Sequence, residues 1–149
     1  MKGRHQAREL ALSTLYALDF NQQLLPKTTM VNIPTLTEAE KEKIDPDTLL
    51  FARYIIAGTI EHLKEIDEWI SRFSINRPLE KIDLIDRNIL RLSLFSFLYM
   101  PDIHHHVIIT EAVMLSQEYS REVNYKFING ILDSIGKEIH DNPQNRRTD

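Results

Sequence analysis

Apolar positions along this chain recur three and four residues apart, and no stretch alternates with the period of two that a half-buried strand requires. The strongest pattern runs from Ile82 to Tyr99, IDLIDRNILRLSLFSFLY. Ile82, Ile85, Ile89 and Leu92 form one helical stripe, and Leu90, Leu94, Phe97 and Leu98 open a second on the opposite side. A helix apolar nearly all round predicts a buried hub, since about eight such side chains are worth roughly 1.5 to 3 kcal/mol each when removed from water. Asp83 and Arg87 stand one turn apart in the favourable acid-before-base order, and Asp86, Arg87 and Arg91 fall outside the first stripe. This spacing predicts a structural ion network of Asp83 and Asp86 with Arg87 and Arg91.

The flanking segments follow the same period. Arg4 to Asn21 predicts a helix with Ala7, Leu10, Ala11, Thr14, Leu15 and Leu18 on one face, while His5, Leu12, Tyr16 and Phe20 fall on another, to be covered by a second layer or by a partner. Pro26 and Pro34 make Gln22 to Asp45 a connection, with a short helical piece near Thr37 to Lys43. Asp45, Pro46 and Asp47 read as an N-cap, a first-turn proline and an acid on the helix dipole. From there Leu49, Ala52, Ile56, Ile60, Leu63, Ile66 and Ile70 carry one face through about Phe73, with Trp69 as packing. Asn76, Arg77 and Pro78 break the chain before the hub. A helix from Ile108 to Tyr119 turns Ala112, Val113 and Leu115 inward. A last one, from near Asn124, buries Ile128, Ile131, Leu132, Ile135 and Ile139, with Gly130 allowing a close neighbour. The expectation is an all-α, compact bundle of about six to seven helices, a single domain over residues 1–140 with a polar tail at 141–149.

Composition narrows the chemistry. The 149 residues include no cysteine and only four glycines, which excludes disulfides, thiolate metal sites and a glycine loop for phosphates. No apolar run is long enough to span a bilayer, so the expected setting is the cytoplasm, with no membrane partner. The net charge of -4 is unevenly distributed. Lys2, Arg4 and Arg8 precede any acid, whereas Glu38 to Glu68 holds nine acids against four bases, so only the amino-terminal end attracts an anion. No HExxH, GxSxG or Walker pattern occurs, and no catalytic residue, cofactor or metal is expected. His104, His105 and His106 are adjacent, and adjacent side chains point apart rather than converging on one ion.

Four blocks carry a family resemblance. YKFINGILDSI (Tyr125 to Ile135) resembles the KFVNGVLD signature of the bacterial transcription antitermination factor NusB family. IDRNILRLSLFSFLY resembles that family's DRxILRLxxYELLY helix, VIITEAVMLSQEY its VxINEAVELAKxY helix, and ARELALSTLYALDF its opening ARExALQxLYxWD. They stand in the family's order. The resemblance implies an all-helical factor that binds the boxA segment of nascent ribosomal RNA together with NusE, a small-subunit ribosomal protein, and joins RNA polymerase and the other Nus factors.

The resemblance further implies RNA contact by Lys2, Arg4, His5 and Arg8 at the basic start of the first helix, by Tyr16 of the LY pair, and by Lys126 and Phe127 of the KF pair. Asp86 lies in a region the family uses for partner contacts. Helical spacing is compatible with these roles: Phe127 sits off the centre of the core stripe beside Lys126, where an edge aromatic and a cation can hold an unpaired base and a phosphate. About three phosphate contacts on single-stranded RNA predict a log-log salt slope near -2. The chain departs from the family at Arg77, where Trp is frequent, at His104 for Pro, at Thr110 for Asn, and at Val123 and Tyr125 for acidic or polar residues. A second reading from the same first-helix stripe is a protein-interaction module or homodimer that buries Leu12, Tyr16 and Phe20. A NusB-like domain also precedes certain ribosomal RNA methyltransferase domains, for which this chain has neither residues nor a cofactor loop.

Overall fold

The computed structural model describes residues 3–24 and 36–141. Among them are seven α-helices, one 3-10 turn and no strand: α1 (Arg4–Phe20), α2 (Glu38–Glu42), α3 (Pro46–Glu61), α4 (Leu63–Phe73), α5 (Leu84–Tyr99), α6 (His105–Tyr119) and α7 (Asn124–Asp141), with the turn at Leu79–Lys81. The all-α reading is therefore met. The short α2 carries a capping box, in which Thr37 Oγ1 accepts from the Glu40 N–H at 3.1 Å and Glu40 Oε1 accepts from the Thr37 N–H at 2.9 Å. Asp45 caps α3 as its spacing predicted, its carboxylate accepting from the Asp47 N–H at 3.1 Å.

α5 is the hub. It packs against α1, α3, α4, α6 and α7, and every residue from Asn88 to Leu98 is buried. One apolar cluster runs from Ala7 to Ile139, with Leu90, Leu94 and Phe97 wholly inaccessible. α3 closes onto α5 because Gly58 has no side chain. A Cβ there would lie 2.2 Å from the Phe95 ring.

Several expectations need correction. The stripe from Leu49 to Ile70 does not form one helix, because the chain turns at His62 (φ -107, ψ 22), where no proline signals a break. The turn lets α3 serve α1 while α4 serves α7, and the His62 ring stacks on Tyr99 with centroids 3.9 Å apart. Of the second α1 face, Leu12 is covered within the chain at 5% exposure, so there a second layer rather than a partner buries it. Gly130 has no close neighbour, since a Cβ there would meet nothing within 4 Å.

The ion network exists with different acids. Arg87 grips Asp19 of α1 through two bonds of 2.7 and 2.8 Å, and Arg91 reaches Asp19 at 2.9 Å and Asp67 of α4 at 2.8 and 3.0 Å. Burial works against the Asp19 charge, but Arg87, Asn88 and Arg91 outweigh it and hold its carboxyl below the usual range. Asp86 and Arg91, outside the first stripe, are nonetheless buried, because α1, α4 and α7 bring polar partners to that face.

Candidate nucleic-acid interface

α1 begins where Gly3, with φ 88, turns the chain into the helix and offers its carbonyl to the Ala7 N–H at 2.9 Å. A Cβ at Gly3 would stand 2.2 Å from Thr48 Oγ1, so the absence of a side chain seats the start of α1 on α3. The next residue, Arg4, lays its guanidinium over the Phe51 ring of α3, 3.8 Å from the centroid. Arg4 lies at the edge of a cavity of about 800 Å³ between α1, α3 and the turn into α6, rimmed by His104, His106, Asp102 and Glu111. The three histidines diverge: His104 Nδ1 accepts from the His106 N–H at 3.0 Å, and the His105 ring packs edge-on against Phe97 at 4.9 Å.

Arg8 does not stand open to solvent beside Arg4. It is 4% exposed, and its Nη1 donates to Glu111 Oε1 at 3.0 Å. His5 lies between the other Glu111 oxygen, 3.3 Å from Nδ1, and Glu118 Oε1, 2.7 Å from Nε2. Burial disfavours its cation, yet the carboxylates of Glu111, Glu118 and Glu9 prevail and raise its pKa above the ordinary histidine value. The Tyr119 hydroxyl donates to Glu9 and rises to a pKa of about 12 beside that carboxylate. His5, Glu9 and Glu118 are the described group whose ligand atoms lie within 4.8 Å of one another, a set able to approach a cation. In this arrangement their donors and acceptors serve one another and fasten α1 to α6.

The other expected residues sit elsewhere. Tyr16 is 36% exposed and stacks on the more exposed Phe20, centroids 6.1 Å apart, beside a groove of about 500 Å³ formed with Leu10, Ile85 and Tyr119. Lys126 is exposed and Phe127 half-buried against the core at the start of α7. They border a third cavity, of about 440 Å³, facing the turn between α4 and α5. Arg77 of that turn holds its guanidinium 4.5 Å from the Phe127 centroid. Asp86, expected to touch a partner, is wholly buried and accepts from Asn124 Nδ2 at 2.6 Å. Burial raises its pKa, and α7 covers it, so it orders the start of α7 from inside. Lys2 lies outside the described residues.

The statistical profile of the NusB family matches residues 5–137. The chain belongs to the NusB family. It is 41% identical over 140 residues to the transcription antitermination protein NusB of Carboxydothermus hydrogenoformans, across 91% of this chain and 94% of the relative. NusB of T. maritima superposes with a TM-score of 0.78 at 32% identity, covering 91% of each chain. A crystal structure of the antitermination factors NusB and NusE in complex with double-stranded RNA is similar at a TM-score of 0.75 and 25% identity, covering 93% of this chain and 98% of that one. No described helix is long and apolar enough to cross a membrane.

Within this NusB-family bundle, the expected RNA residues are divided among three cavities. Arg4, His5 and Arg8 share one, while Tyr16 and the Lys126–Phe127 pair each border another. Periodicity could not show that Glu111 and Glu118 answer His5 and Arg8, because those pairs join residues about a hundred positions apart. Arg77 stood out in the sequence only as a departure from the family's usual Trp. Its place over Phe127 is a tertiary contact.

Proposed function

We propose that this chain is a cytoplasmic, non-catalytic transcription antitermination factor that binds the boxA segment of nascent ribosomal RNA together with NusE, in company with RNA polymerase and the other Nus factors. The observation that carries this reading is the family match over residues 5–137, joined to the likeness to a complex of NusB and NusE with double-stranded RNA. The geometry supports it with groups suited to single strands: the half-buried Arg4 at the tip of α1, and the exposed Lys126 beside the half-buried Phe127 ring on α7. Such a ring stacks a base while the cation meets a phosphate. Residues 1–140 act as one domain, supported by the single apolar cluster from Ala7 to Ile139. The polar tail at 141–149 lies outside the described residues except for Asp141, the last residue of α7.

Gel shifts with a boxA-like single strand, with and without NusE, test the reading. Binding that NusE strengthens and salt weakens is the expected result. No shift in the presence of NusE contradicts it. A second reading, a protein-facing surface or homodimer, is favoured by the exposed stack of Tyr16 on Phe20 alone, since Leu12 is buried. Light scattering at rising concentration, repeated with Tyr16→Ser, detects it as a mass that falls with the substitution.

A further inference from the structure

We propose that Arg77 is a further RNA-binding residue: together with Lys126 it holds the phosphate of one unpaired nucleotide whose base lies against Phe127. The inference rests on the functional reading above and adds a residue that the family resemblance does not supply.

Arg77 is delivered by a fixed turn. The Ser74 hydroxyl, itself buried, donates to the Arg77 carbonyl at 2.6 Å, and Pro78 with φ -60 follows directly. The guanidinium therefore reaches the Phe127 ring from a backbone that needs no ordering when a ligand arrives. Across the groove, Gly130 and Ser134 lie one and two turns beyond Lys126 on α7. A Cβ at Gly130 would touch nothing within 4 Å, so the floor of the groove is bare beside the aromatic edge. Ile75, 87% exposed, forms the opposite rim and offers an aliphatic face to a flat ring. The open groove, about 440 Å³, falls in the range of small-ligand sites.

Charge selects the occupant. No carboxylate lines this groove, and neither Arg77 nor Lys126 takes part in an ion pair among the described residues. Asp86, the acid behind the groove, feels the Arg77 charge, but it is wholly buried, forms no ion pair with Arg77, and accepts from Asn124 instead. Two cations, one aromatic edge and a bare floor suit a nucleotide whose base is free to leave the stack. A guanidinium plane can cover that base as well as meet its phosphate. A paired duplex presents no such base.

The test uses the full chain with saturating NusE and a labelled boxA-like single strand. Arg77→Gln should weaken RNA binding about threefold to tenfold, of the order of one lost charge-assisted contact, and reduce the log-log salt slope by about 0.7. Arg77→Lys should keep the slope while recovering only part of the affinity, because the ammonium cannot stack. Urea midpoints confirm that both variants are folded. An Arg77→Gln chain with unaltered affinity and slope overturns this inference alone, as does one that loses NusE binding measured without RNA, which would make the groove a protein contact. An unaltered chain that fails to bind RNA beside NusE overturns the functional reading, and this inference with it.

Discussion

At the start of α1, Arg8 and His5 are met by Glu111 and Glu118 of α6, whereas at the other cationic place in the fold, Arg77 and Lys126 face a groove that no carboxylate among the described residues lines. The sequence suggests the reverse ranking, because Met1 to Arg8 is rich in bases and the surroundings of Arg77 are not. What separates the two regions is the partner brought by tertiary structure. A cation already bonded to an acid has given up much of its water and its field to hold two helices together, and offers little to a phosphate. A cation in no ion pair, as Arg77 and Lys126 are among the described residues, keeps more of both.

The largest effect that sharpens this contrast concerns paired arginines. Asp19→Ala leaves Arg87 and Arg91 without a shared acid in a nearly closed site and should cost about 3 to 5 kcal/mol in urea unfolding. Arg8→Ala should cost about 3 kcal/mol, toward the lower end since Glu111 retains His5. Loss of stability below about 0.5 kcal/mol for Arg8→Ala would mean that the pair is not a fastening. At the other region the outcome moves from stability to binding. Phe127→Ala should weaken RNA binding by about tenfold, of the order of one stacked base, as read by anisotropy with NusE present.

The smallest expected effect is a pH dependence at the α1 end. The folded pKa of His5 lies above its ordinary value of about 6.5, so its contribution to stability is complete below that pH and is lost as pH rises through the folded value. The groups facing the ring are Glu9 of its own helix and Glu111 and Glu118 of α6, with Arg8 on the far side of Glu111. Stability of the unaltered chain should therefore decline as pH rises above the ordinary histidine value, while that of His5→Gln stays flat over the same interval. A parallel decline in both would place the titrating group elsewhere.

Much of the fold was legible because burial writes itself into helical spacing. The stripes of α1, α5 and α7 foretold Ala7, Ala11, Leu15, Ile89, Leu94, Ile128 and Ile135 as core, and Asp45 foretold the start of α3. The turn at His62 was not legible, since it arises from what α3 and α4 pack against rather than from a local breaker. The candidate site was legible by residue type and family motif, which singled out Lys126, Phe127 and Arg4. It was not legible by availability: Arg8 and Asp86 look like surface charges until α6 and α7 cover them. Arg77 was visible only as an oddity, because its meaning depends on a ring fifty residues away.

Salt dependence of RNA binding, measured side by side for the unaltered chain, Arg8→Gln and Arg77→Gln with NusE at a fixed saturating level, tests the contrast most directly. Each cation that releases counterions on a single strand contributes about 0.7 to the slope. The slope should be unchanged for Arg8→Gln, despite its lower urea midpoint, and shallower by about 0.7 for Arg77→Gln. A shallower slope for Arg8→Gln together with an unchanged one for Arg77→Gln would contradict the contrast.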